Sequence, residues 1–272
     1  MSSNFSLTTF NSKGRLEQIE NAMKAVANGE TAIGIKCKNG VVLAVEKRLS
    51  SPLIDESSVQ KIQVIAEHIG STYAGLSGDY RVLLQKARKH SMKYELSYNE
   101  PILLSNLCRN VAQTVQEYTQ SGGVRPFGIS VLVAGINDGK PMLYQIDPSG
   151  AYYEWKAASV GKNAENAKIF LEKRYNPKME MEDAIHNVLL TMKDGFEGNI
   201  VSLRPDEWHQ HRGRHNRHRE PYFQAFDSIS SQRLFGSDRI TNDKYTLSTA
   251  ILIKRSICNH DEQHSGKRKR IH

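Results

Sequence analysis

The chain has 272 residues, 39% of them apolar, which suits a globular core and one large folded unit or two small ones. It has no stretch near the ~18 apolar residues of a membrane helix, its start lacks the basic and apolar runs of a secretion signal, and its three cysteines fit neither a disulfide framework nor a zinc pattern. The charge of +8 raises nucleic acid as a partner, but the excess is local: residues 199–272 hold 14 Lys/Arg against 8 Asp/Glu and seven of the ten histidines. The expectation is a soluble, unsecreted protein of a reducing compartment, with a near-neutral body and a basic final quarter.

Leu16, Ile19, Ala22, Met23 and Val26 recur at helical spacing, and Gly29 follows as a stop. Two β-rich runs, Thr31 to Lys36 and Val41 to Lys47, flank Asn39-Gly40, a strong hairpin signal. Ile62 to Ile65 and Ile69 to Leu76 predict two more strands, and Asp79 to Tyr98 and Leu103 to Tyr118 predict helices, with Pro101 at the entrance of the second.

A loop with Gly122, Gly123, Arg125 and Pro126 leads into buried strands from Gly128 to Ile136 and Met142 to Ile146, with Asp147 to Gly150 as a turn. Tyr152 to Trp155 and Ala157 to Val160 add strands; Asn163 to Arg174 and Met181 to Phe196 add helices. Strands, two helices, strands, two helices is the order of an α+β sandwich with helices covering both faces of stacked antiparallel sheets. Periodicity then fails. The chain divides into a body over 1–198, a basic His/Arg-rich loop insertion over 199–243, a returning core strand over 244–255 and a basic tail over 256–272.

With the elements placed, "FSLTTFNSKGRLEQIENAMKAVANG" (Phe5 to Gly29) resembles the N-terminal signature of proteasome alpha-type subunits, and most of all that of the family's type-2 branch. "SVQKIQVI", "DYRVLLQKAR", "YTQSGGVRPFG", "DPSGAYYEWKA", "GKN", "FLEKRYN" and "MEDAIH" follow in the family's order, so the resemblance runs from Phe5 to about Gly198 and resumes near Thr246 to Lys254. It implies the four-layer αββα sandwich of N-terminal nucleophile hydrolases in its non-catalytic alpha form. The implied role is structural and gating: a subunit of a heptameric outer ring, touching other alpha subunits, the beta ring and activator particles, and serving ubiquitin-dependent degradation in cytoplasm and nucleus. No cofactor, metal or membrane is implied, and nucleic acid is not the expected partner.

Residue by residue, the resemblance implies that Lys61 meets an activator's C-terminal carboxylate in a pocket that Gly29 lines, a charge-assisted contact; the plain alternative is a solvated surface lysine. It implies that Gly122, Gly123, Arg125 and Pro126 shape backbone near subunit contacts. A phosphate cradle would need the Lys-Ser/Thr of a P-loop, which is absent here. The family's gate cluster of tail tyrosine, neighbouring polar residue, proline and helix tyrosine falls on Ser3, Asn4, Ser12 and Asn21, none of which is aromatic or proline. Catalytic members of the fold expose a processed threonine whose own amine is the base; Thr8 and Thr9 are candidates by type, but no glycine precedes them and cleavage there would leave the helix attached.

Cys37 and Cys108 read as small apolar residues, and His209, His211, His215 and His218 as a solvated basic loop rather than a metal site. Lys267 to Arg270 could direct nuclear import, touch nucleic acid or simply be solvated.

Overall fold

A computed structural model describes residues 9–48, 51, 53–55, 58–195, 223–229 and 245–253. Within them, five helices and ten strands form in the order α1 (Glu17–Ala27), β1 (Ala32–Cys37), β2 (Gly40–Arg48), β3 (Gln63–Ala66), β4 (Ile69–Gly75), α2 (Ser77–Tyr98), α3 (Leu104–Gln120), β5 (Ile129–Asn137), β6 (Lys140–Ile146), β7 (Tyr152–Glu154), β8 (Ala157–Val160), α4 (Ala164–Arg174), α5 (Met181–Gly195), β9 (Phe223–Ile229) and β10 (Tyr245–Ile253). The strands make two five-stranded sheets, one ordered β8-β1-β2-β10-β9 and the other β3-β4-β5-β6-β7. Every pairing in them is antiparallel.

Strand alternation decides what each sheet faces. In β2, Val42 and Ala44 join Ile33, Ile35 and Cys37 of β1 against α4 and α5, through Leu171, Val188 and Met192. The intervening Val41, Leu43 and Val45 point the other way and meet Leu132 and Ala134 of β5 and Leu143 of β6. The opposite face of β5, carrying Ile129, Val131 and Val133, packs under α2 and α3 against Leu83, Leu107 and Val111. Because β1, β2 and β5 are apolar on both faces, each carries a continuous apolar run instead of alternating polarity.

Turn chemistry follows local φ. Asp138 at +48° and Gly139 at +72° close the β5–β6 hairpin, the left-handed pair that matches the twist of the strands. The β1–β2 hairpin forms at the expected place, but Gly40 is already paired with Cys37, so Lys38 and Asn39 make its turn instead of Asn39-Gly40. Met23 also departs from the expected stripe: α1 buries Ala22 and Val26, while Met23 is 42% exposed.

A larger departure lies past the body. The loop reading of 199–243 is corrected at Phe223–Ile229, where β9 pairs with β10 as an edge strand. Its seven residues are flanked by polar chain, and its register shifts between Leu247 and Thr249 of β10, so no regular alternation marks it. β10 itself pairs with β2 along all nine of its residues.

Candidate functional site

Helix α1 ends where its chain must turn sharply into β1. The Asn28 N–H returns to the Lys24 carbonyl and the Gly29 N–H to that of Val26, and Gly29 then passes so near Gly75 that any Cβ at 29 would overlap the Gly75 backbone nitrogen. Gly75 sits at φ +113°, and a Cβ there would overlap the carbonyl of Gly128, which also accepts a hydrogen bond from the Leu76 N–H at 3.1 Å. The Gly29 carbonyl in turn accepts from the Lys162 N–H at 2.9 Å. The end of α1, the end of β4 and the loop after β8 are thereby pinned together.

Lys61 lies beside this junction. It is 7% exposed, not a solvated surface lysine, and its Nζ donates to Glu30 Oε2 at 2.6 Å while lying 5.5 Å from the centre of the Tyr73 ring. The Lys61 carbonyl accepts from Thr72 Oγ1 at 3.3 Å, which fastens its backbone to β4. Glu30 comes from the residue after Gly29, so the turn that brings Gly29 in also delivers the carboxylate. Burial works to raise the Glu30 carboxyl, but the Lys61 hydrogen bond and the Lys61 and Arg48 charges outweigh it and hold the group below its ordinary value.

Glu46, whose Oε2 accepts from the Thr31 N–H at 3.4 Å, is pushed the other way, first by burial and also by the charge of Glu30. Burial and the same Glu30 charge raise the Tyr73 phenol to about 12. The cluster thus holds one ionised carboxylate against one ammonium, with a second carboxylate close by.

The loop after α3 is a second constellation. Arg125 forks onto Asp79 with Nη1–Oδ2 at 2.7 Å and Nη2–Oδ1 at 2.8 Å, and Asp79 Oδ2 also accepts from the Gly128 N–H at 2.9 Å. Burial opposes ionisation of Asp79, yet the Arg125 hydrogen bond, the Gly128 N–H and the guanidinium charge hold its carboxyl below the usual range. Gly123 takes φ +79° in open space, whereas Gly122 is not at positive φ, and Pro126 is buried. The clamp ties the crossover loop to the first turn of α2.

Of the gate positions, Ser12 and Asn21 are described and exposed; Ser3 and Asn4 lie outside the described residues. The turn at Ser12 is organised by Asn11, whose Oδ1 accepts from the Lys13 and Arg15 N–H groups, both at 2.9 Å, while Gly14 sits at φ +71°. Thr9 is exposed ahead of this turn; Thr8, Cys258, the histidines from 209 to 218 and the tail lie outside the described residues. Cys37 and Cys108 are buried free thiols. Among the described residues no three metal-capable side chains group together, and no helix is long and apolar enough to cross a membrane.

Glu30, Glu46 and Asp79 are the residues that sequence reasoning misses. Their partners lie 31, 15 and 46 positions away, so no local pattern announces them.

Two facing antiparallel sheets with a helix pair on each outer side, preceded by a helix seated on β4 and β5, define the class of protein. A family profile described as "Proteasome subunit" matches residues 26–205, and the chain belongs to that family, in its alpha-type branch. It is 57% identical over 198 residues to proteasome subunit alpha type-2-B of Arabidopsis thaliana, covering 73% of this chain and 84% of that one. The alpha type-2 subunit of Dictyostelium discoideum is 57% identical over 199 residues, and that of Drosophila melanogaster 52% over 198, with 73% of this chain and 85% of each relative covered.

Proposed function

We propose that this chain is a non-catalytic structural and gating subunit of the outer alpha ring of the proteasome core particle, built on the αββα sandwich of N-terminal nucleophile hydrolases and serving ubiquitin-dependent degradation. One observation supports this best: α1 lies ahead of β1 in unbroken chain across β4 and β5, with Met23 and, before it, Phe10 presented outward. A threonine nucleophile of this fold needs a free amine. At the head of β1 the nitrogen of Thr31 is instead a peptide N–H engaged by Glu46, and a helix precedes it. Met23, exposed among Glu17, Asn21 and Lys24, and Phe10 ahead of the helix are apolar side chains suited to contact with ring neighbours of the same fold.

Other alpha subunits in a heptameric ring, the beta ring and activator particles are the partners this reading supplies, with cytoplasm and nucleus as the location. Lys61 is the docking ammonium for an activator's terminal carboxylate. Native mass spectrometry of purified core particles tests the assignment: this chain should occupy the type-2 position. A stable monomer that never co-purifies with alpha and beta rings refutes it. Lys61→Ala should weaken activator binding in a titration, and an unchanged affinity removes the docking role while leaving the subunit assignment standing.

A further inference from the structure

We propose that Glu30 is a built-in competitor for the Lys61 ammonium, so that an external carboxylate docks there by displacing the Glu30 carboxylate rather than by filling a vacant site. The inference rests on the docking role of Lys61 and concerns its regulation.

The geometry carries it. The Glu30–Lys61 pair is closed at 2.6 Å, and its two members are unequally accessible: the Lys61 side chain is 8% exposed and that of Glu30 30%. The solvent-facing partner is therefore the carboxylate, and a ligand approaching the ammonium from water meets Glu30 first. The Tyr73 ring, 5.5 Å from the Lys61 Nζ, flanks the amine with an apolar face, and Glu46, its carboxyl raised by burial and by the Glu30 charge, lies in the same cluster. An arriving carboxylate beside an intact pair would find the Lys61 ammonium already engaged by Glu30.

Exchange is chemically even-handed. A carboxylate leaves Lys61 and another takes its place, so the buried ammonium is never stranded, which is the costly outcome for such a pair. The departing Glu30 stays near the Arg48 charge and is already partly in water. A site whose competent form is only a fraction of the population binds with an affinity reduced by that fraction. Glu30 thus sets how strong an activator tail must be to engage this pocket.

The test uses core particles containing the full chain and a fluorescent synthetic peptide with a free C-terminal carboxylate, compared with the same peptide as its C-terminal amide. Wild type should prefer the acid, and Lys61→Gln should erase the preference. Glu30→Gln keeps an acceptor for Lys61 without the charge, and should bind the acid about tenfold more tightly, equivalent to about 1.4 kcal/mol, with the amide unchanged. Glu30→Asp keeps the charge but withdraws it by one methylene, and should fall between the two; it decides the matter alone if the Gln variant fails to assemble. An acid preference that depends on Lys61 but is equal in wild type, Asp and Gln overturns the competition while leaving docking intact. Absence of any acid preference in all of them removes docking and competition together.

Discussion

Removing Arg125 or Asp79 should not cost the same, although the two residues form one ion pair. Arg125→Ala deletes two charge-assisted hydrogen bonds from a guanidinium that is 58% exposed, so solvent screening limits the loss to about 1 kcal/mol. Asp79 keeps the Gly128 N–H in that variant and stays at the positive end of α2. Asp79→Ala deletes the same two bonds and also orphans that part-buried N–H, which adds about 1–3 kcal/mol. The expected order is about 1 kcal/mol for Arg125→Ala, about 2–4 for Asp79→Ala, and a double variant no worse than Asp79→Ala by more than a few tenths.

Urea denaturation of the full-length chain as a double-mutant cycle reads these values. Equal losses for the two single variants, or full additivity in the double, refute the clamp. The pH dependence supplies a second check. Because the folded Asp79 carboxyl lies below its unfolded value of about 3.9, its contribution is fully present above that value and is lost as pH falls through the lowered folded one. Asp79→Ala should flatten the acid limb of the stability profile.

Gly29→Ala should destabilise the chain by at least about 1–3 kcal/mol, since both atoms facing the new methyl at Gly75 are backbone and cannot rotate away; a thermal midpoint equal to wild type counts against the junction described. Cys108 is fully buried and burial drives its thiol far up, so iodoacetamide should label it in urea but not in the native protein, as read by peptide mass spectrometry. Ser12→Pro combined with Asn21→Tyr should raise peptide hydrolysis by activator-bound particles, with no change refuting a gate weakened at these positions. The proline is compatible with the local turn, whose hydrogen bonds use the nitrogens of Asn11, Lys13, Gly14 and Arg15.

The elements of the body are legible because each carries its own pattern: α3 buries Leu107, Val111 and Val115 on one face, and β5 is apolar without a break from Val131 to Ile136. What stays hidden is relational. Lys61 stands among polar residues in "SVQKI" and nothing local shows that it is buried, because its burial is created by Tyr73 and Glu30 from other parts of the chain. Arg125 stands out in its loop but its purpose does not, since Asp79 looks like an ordinary acidic residue in a helix's first turn. β9 escapes notice because an edge strand with a register shift gives too short a signal against its polar flanks.

The placing of β10 between β2 and β9 has a consequence for how this chain emerges during synthesis. The apolar run of β2 is made early, yet the partner that covers one of its sides, from Gly40 to Arg48, is β10, ending at Ile253. At ribosomal rates of about 5–20 residues per second, that flank waits roughly 10–40 s. During that interval "VVLAV" offers a bare hydrogen-bonding rim to any other nascent strand. A product cut short before Tyr245 keeps that rim for good, so premature termination should yield aggregates rather than a smaller stable subunit.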